Sequence, residues 1–406
     1  MALHPPTTRI HSRALVFTVA WIAMIGPFSI DTYLPAFPSI EAEMAVGRPM
    51  LSLTLGAYLV GFATMTLFWG PFSDRFGRRR VMLGAILLYC LASLLCQFAP
   101  GFDWLMAGRV LQGVAASGGF VASRATIRDA FDSLEAQRAM SHVMMLFSLA
   151  PAVAPIIGGW LHDHAGWRSI FGFLSSYGLL AAWLISTRVP ETLPVSARRS
   201  FHPRYVLTTY RQIVGRARFM LLVWSLGIGF GGLFIYIAGA PTVIFDFLGL
   251  GSGDFWVQFV PVTIGILTGS FVASRIISRL GPVRTVTAGF FIIALACLIN
   301  AAQAYWLPPA PAVVILPVVL YATGLTIAMP GITIAALDCF PENRGAAAAM
   351  QSFFQMMINA AVAAILVPLL SLSLGWFVTG QLGCFLAAWL FWHLAHHPAL
   401  SSPATS

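Results

Sequence analysis

Twelve apolar runs, most of them about 20 residues long, recur from one end of this sequence to the other. A helix of about 20 apolar residues spans the hydrocarbon core of a bilayer. Backbone polar groups in that core must be satisfied within a helix or by a closed barrel. The runs lie at 14–37, 50–71, 81–99, 104–126, 139–161 and 168–187, and again at 219–240, 255–277, 284–304, 308–330, 346–368 and 376–395. They are continuous rather than alternating, which excludes a membrane β-barrel. The expected fold is an all-α membrane protein of twelve transmembrane helices. Composition closes the soluble alternative, since 58% of residues are hydrophobic and 9% charged, where a soluble domain carries about 25% charged.

The runs fall into six and six. Between them Arg188, Arg198, Arg199, Arg204, Arg211, Arg216 and Arg218 are interspersed with Pro190, Pro194 and Pro203 in the one long polar stretch. Residues 1–187 and 219–406 therefore read as two six-helix bundles joined by a cytoplasmic linker at 188–218. An internal echo supports a duplication: Arg75/Arg279, Gly77/Gly281 and Arg80/Arg284 are each 204 residues apart and each set joins the second and third helix of its half. In repeat-built transporters the substrate path lies between the repeats.

The formal charge of +9 comes from 23 basic residues, all arginine. A basic stripe suits nucleic acid, but these arginines cluster in the gaps between apolar runs, which is how topology-setting charge is distributed. With the N-terminus in the cytoplasm, twenty arginines fall on the cytoplasmic side or at its helix ends, Arg124 among the latter, Arg48 and Arg168 fall outside, and Arg109 lies within a helix. Glu41, Glu43, Asp103, Asp163, Asp246 and Asp254 fall in the outer loops. Both termini are thus expected in the cytoplasm. Arg9 and Arg13 precede a run too long for a signal peptide and without a small-residue cleavage site, so it reads as a permanent first helix.

The five cysteines fit neither a disulfide framework nor a zinc site. His393, His396 and His397 stand at the cytoplasmic end of the last run without companion ligands, so no metal is expected. With no lysine there is no phosphate-binding G-x-x-x-x-G-K-[ST] loop, and no catalytic triad pattern occurs. The chain reads as neither an ATPase nor an enzyme.

An ionisable group inside a membrane helix is expensive and by default functional. Asp31 and Arg109 stand out. Asp31 lies about 9 Å before the outer end of the first helix and Arg109 about 8 Å past the outer end of the fourth, at 1.5 Å per residue. The two reach similar depth and can meet. Burial in a shared cavity and proximity to the arginine act in opposite directions on such a carboxyl group, which is the physics of proton-coupled exchange. A static ion pair fixing the first and fourth helices is the other reading.

Several motifs resemble the major facilitator superfamily. Gly70-Pro71-Phe72-Ser73-Asp74-Arg75-Phe76-Gly77-Arg78-Arg79-Arg80 matches its signature loop, and Arg109-Val110-Leu111-Gln112-Gly113 its fourth-helix motif. Pro151, Pro155, Gly158 and Gly159 resemble its fifth-helix antiporter motif, with Ala154 in place of that motif's first glycine. Ser29-Ile30-Asp31-Thr32-Tyr33-Leu34-Pro35-Ala36, with Tyr58, Arg128-Asp129 and Leu337-Asp338-Cys339-Phe340-Pro341, resembles the bicyclomycin-resistance (Bcr/CflA) branch of drug:proton antiporters.

That resemblance implies multidrug or antibiotic efflux by alternating access. Asp31 would carry the proton and Arg109 would tune it. Gly70, Asp74, Arg75, Gly77 and Arg78 would form a cytoplasmic latch with Asp129 as partner, the bland alternative being a solvated turn. The fifth-helix motif would govern outer closure, although ordinary helix packing needs the same residues. Tyr33, Tyr58, Gln112, Phe234 and Tyr236 are the candidate substrate contacts, with Gln351, Phe354, Gln355 and Asn359 as further polar or aromatic residues within helices. The implied partners are a small amphipathic drug-like substrate, protons and the lipid bilayer, in a chain that functions as a monomer without nucleic acid. The proton gradient replaces any cofactor, and the location is the bacterial inner membrane. A proton-coupled importer or exporter of one metabolite on the same fold is the alternative, and a non-transporting membrane sensor a third reading.

Overall fold

A computed structural model of the chain describes residues 9–198 and 203–397. Residues 199–202 of the expected linker and both chain termini lie outside the described residues. Among the described residues no strand occurs, and eleven helical stretches are long and apolar enough to cross a membrane. The crossings are α1 (Arg13–Met44), α2 (Arg48–Phe76), α3 (Arg78–Gln97), α4 (Phe102–Ala130), α5 (Ser133–Ala165), α6 (Arg168–Arg188) and α7 (Ala217–Ala238). The stretch Ser252–Trp306 is two crossings, α8 (256–280) and α9 (282–306), because Gly281 turns the chain with φ 76° and ψ 167°. Then come α10 (Pro311–Leu337), α11 (Arg344–Leu370) and α12 (Leu374–Ala395), which completes twelve crossings.

Several helices outrun their apolar cores. α5 extends into polar residues at both ends, and Glu41 and Glu43 belong to a helical continuation of α1, Phe37–Met44, rather than to a loop. Asp163 likewise lies in the last turn of α5. The linker contains a helix, Pro203–Val214, that its polar composition did not announce. Its Tyr210 hydroxyl donates to the Leu67 carbonyl of α2 at 2.9 Å, which ties the linker to the first bundle.

The duplication is visible in the backbone. Gly77 and Gly281 both hold positive φ, 99° and 76°, at equivalent turns. Gly61 and Gly265, again 204 apart, do the same job of close approach. A Cβ on Gly61 would sit 2.6 Å from the Val110 carbonyl of α4, and one on Gly265 2.7 Å from the Val319 carbonyl of α10. Small residues let backbones approach where lipid supplies no hydrophobic drive between helices.

The halves meet along α2 with α11 and α5 with α8. Gly56 of α2 faces Ala360 and Ala364 of α11, where a Cβ would be 2.7 Å from that of Ala364. Among the described residues, two side-chain links join the helices of the two halves, and both lie at the arginine-poor end. Arg48 pairs with Asp246 while also holding Glu41 at 2.8 Å, and Ser252 donates to Asp163 at 2.5 Å.

Candidate functional site

Proline breaks α1 where its one internal acid stands. A proline removes an N–H and its ring crowds the carbonyl four residues back. Pro35 therefore disrupts the helix at Asp31, and Ile25–Asp31 gives way to a short 3-10 turn, Leu34–Ala36. Pro27 acts in the same way on Ala23, the last residue of Arg9–Ala23. The sequence had suggested one unbroken helix here. Asp31 is 3% exposed, and among the described residues its carboxyl group has neither a hydrogen-bond nor an ion-pair partner.

Arg109 is fully buried and does not pair with Asp31. Its Nη1 donates to the Ser29 carbonyl at 3.0 Å and to Gln112 Oε1 at 2.8 Å. The guanidinium lies 4.9 Å from the Tyr33 ring centroid and 4.7 Å from that of Tyr58, a cation–π sandwich between α1 and α2. Gln112 Nε2 donates to Ser93 Oγ at 2.8 Å, and Ser29 Oγ shares a 2.7 Å hydrogen bond with the Tyr89 hydroxyl. The Tyr33 hydroxyl meets Thr54 Oγ1 at 3.2 Å. This polar cluster draws on α1, α2, α3 and α4. Tyr58 lies within electrostatic reach of both Arg109 and Asp31, so the two charges belong to one neighbourhood without touching. Gly113 makes the closeness possible, since a Cβ there would overlap the Tyr58 carbonyl.

The paired glycines of α5 hold two different neighbours. A Cβ on Gly158 would overlap the Thr32 carbonyl, in the break that follows Asp31, and one on Gly159 would overlap the Ser252 carbonyl at the entrance to α8. Pro151 and Pro155 lie within α5 without ending it. The arginine-poor end of α5 is thus wedged between the α1 break and the second bundle.

At the opposite end, Arg78 Nη1 meets Asp74 at 2.6 Å and Ser73 Oγ at 2.6 Å, and its Nε meets Asp129 at 2.8 Å. Gly77 needs its positive φ, and its carbonyl-side neighbour Arg78 donates its backbone N–H to Glu191 Oε1 at 2.9 Å. Gly70, in contrast, has open space where a Cβ would go, so close packing does not demand glycine there. Arg75 is exposed and lies 5.2 Å from the Phe76 ring centroid.

Tyr236 belongs to a buried polar cluster in the second bundle, and Phe234, two residues earlier on α7, is buried apart from it. Asn300 Nδ2 donates to the Tyr236 hydroxyl at 2.9 Å and to Gln381 Oε1 at 2.7 Å, and Gln258 Nε2 donates to the Tyr236 carbonyl at 2.7 Å. Phe234 stacks with Phe230. On α11, Gln351 reaches Thr333 at 3.4 Å, Phe354 packs on Trp224, Gln355 is half-buried, and buried Asn359 leaves its Oδ1 without a partner. His393 and His396 each pack on a tryptophan one turn earlier.

A family model described as Major Facilitator Superfamily matches residues 19–363. The chain belongs to the major facilitator superfamily. As a member of that family it is a multi-pass membrane transporter of small molecules and not an enzyme. Among curated relatives, an uncharacterised facilitator-type transporter, YdgK, of Bacillus subtilis is 37% identical over 67% of this chain and 68% of its own. A bicyclomycin resistance protein homolog of Haemophilus influenzae is 30% identical over 66% of this chain and 67% of its own, in keeping with the Bcr/CflA resemblance. Among solved structures, a bacterial homolog of the human lysosomal transporter Spinster matches with a TM-score of 0.75 at 13% identity, covering 98% of this chain and 100% of that one. That last likeness shows the fold alone.

Three features of this facilitator escaped the sequence. Glu191 was read as linker, although it caps the 77–78 turn. Thr54, Tyr89 and Ser93 were not singled out, and Ser29 entered only as part of a motif, because single hydroxyl residues in an apolar run carry no periodic signal. Arg124 was assigned to a helix end from the run boundary at 126, whereas α4 continues to Ala130 and places it inside the helix.

Proposed function

We propose that this facilitator exports small amphipathic compounds, antibiotics among them, in exchange for protons. The observation that carries the proposal is Asp31, a buried carboxyl group at a helix break with no cation against it. Such a group can bind and release a proton without losing an ion-pair partner. Its position beside the Arg109–Tyr33–Tyr58 cluster lets the protonation state act on the contacts between α1, α2 and α4. The resistance name of the Haemophilus influenzae relative supports a drug-like cargo.

In this reading the arginine-rich end and both termini face the cytoplasm, the membrane is the bacterial inner membrane, and residues 1–187 and 219–406 rock as two bundles about the linker 188–218. The links at the arginine-poor end, Arg48–Asp246 and Ser252–Asp163, then hold the outer side shut. The 74–78 latch with Asp129 steadies the cytoplasmic side. Tyr33, Tyr58, Gln112, Phe234 and Tyr236 are buried in this conformation and meet substrate only as the bundles move. One chain supplies both halves, so a monomer suffices, and the proton gradient is the energy source without any cofactor.

The test is drug tolerance, bicyclomycin included, in a strain stripped of its own efflux pumps. The proposal expects raised tolerance with the wild-type chain and none with equally expressed Asp31→Asn. No gain in tolerance to any compound would contradict it and direct attention to uptake or to a single metabolite.

A further inference from the structure

Arg124 is a charge inside α4 that neither the coupling cluster nor the latch uses. It lies six residues before Ala130, about 9 Å from the cytoplasmic end of α4. Arg109 is 15 residues away on the same helix, about 22 Å by rise and about 60° by rotation, so the two arginines share one face of α4.

Four other arginines among the described residues hold carboxylates. Arg78 has Asp74 and Asp129, Arg48 has Glu41 and Asp246, Arg168 has Glu43, and Arg344 has Asp338. Arg124 receives an aromatic ring and a thioether. Its guanidinium lies 4.1 Å from the Phe120 ring centroid, and Nη2 is 3.6 Å from Met144 Sδ on α5. Its Nε is buried without an acceptor, and among the described residues no acid pairs with it. Arg128 and Arg138 nearby are exposed and already supply charge to the surface.

A half-buried guanidinium without a counter-ion carries a desolvation cost that an aromatic ring and a thioether offset less well than a carboxylate would. Its planar fork matches two oxygens of a carboxylate or phosphate, in short charge-assisted hydrogen bonds. The flanking ring and thioether suit an apolar, aromatic body attached to that group. We propose that Arg124, backed by Phe120 and Met144, is an oxyanion site at the cytoplasmic end of α4 that takes the carboxylate or phosphate of an amphipathic ligand. For its role at the start of the export path this inference rests on the transport reading above. The oxyanion has two sources, a solute arriving from the cytoplasm or the headgroup of an anionic lipid.

The experiment is equilibrium dialysis of the purified full chain in detergent with radiolabelled 2-naphthoate and its uncharged amide, 2-naphthamide. Wild type is expected to bind the naphthoate about tenfold more tightly than the amide. Arg124→Gln should lose that preference, and Arg124→Lys should keep part of it, with gel filtration showing that all three proteins are equally folded. Adding phosphatidylglycerol, against phosphatidylcholine, identifies the source. Displacement of naphthoate by phosphatidylglycerol alone upholds the site as a lipid headgroup site, and indifference to both lipids upholds it as a solute site. Equal affinity for the two probes in wild type, or a preference that survives Arg124→Gln, overturns the proposal. A chain that confers tolerance yet shows no naphthoate preference would overturn this site and leave the export reading standing.

Discussion

Gly158 of α5 presses on the Thr32 carbonyl of α1, one residue beyond Asp31, so closely that a Cβ would overlap it. The fifth-helix motif therefore acts on the same break that exposes the α1 acid to its neighbours. Gly158→Ala should push α1 and α5 apart at a cost of about 1–3 kcal/mol, as overpacking does. Drug tolerance should fall sharply at equal expression. Gly84→Ala, where a Cβ meets nothing within 4 Å, is the control and should behave as wild type.

Arg109 is held by its shape as well as its charge. A lysine cannot donate to both the Ser29 carbonyl and Gln112 while covering two tyrosine rings. Arg109→Lys should therefore reduce export about tenfold or more despite conserving charge. Initial rates in vesicles, compared at matched protein, check this, and wild-type rates would refute the packing argument.

The two motif glycines at the turn between α2 and α3 should differ. Gly77 holds φ at 99° with ψ at 146°, a region that costs an L-residue about 1–3 kcal/mol, and its Cβ position is filled by the Glu191 carboxylate. Gly70 has neither constraint. Thermal unfolding in detergent should show Gly77→Ala destabilised and Gly70→Ala unchanged.

Twelve crossings were legible because each is a long apolar run, and the repeat was legible because Gly77 and Gly281 keep a backbone conformation that needs glycine. The candidate site was legible in part. Asp31 and Arg109 stand out as charges in apolar runs, but whether they touch depends on side-chain direction. Proline at 35 breaks α1 and the Ser29 carbonyl captures the guanidinium, so the expected meeting gives way to two neighbours that do not pair. Arg124 was hidden by the way helices outrun their apolar cores. Glu191 was hidden because a contact 113 residues apart leaves no local pattern.

The links at the arginine-poor end make a prediction about conformation. Arg48 holds Asp246 across the halves, so Asp246→Arg should place like charges together and favour the outward-open state. A cysteine at Ser252, otherwise covered by Asp163 and Gly159, should then react faster with an impermeant maleimide added from outside. The double exchange Arg48→Asp with Asp246→Arg should restore slow labelling. Unchanged labelling in the single variant would remove the outer-closure role from this pair.

The central claim, that Asp31 exchanges protons for cargo, is tested most directly in everted vesicles. An imposed proton gradient is followed with a fluorescent dye while bicyclomycin is added. Wild-type vesicles should release protons on addition of the drug and accumulate it, and Asp31→Asn vesicles should do neither. Proton release and drug accumulation that persist in Asp31→Asn would contradict the account.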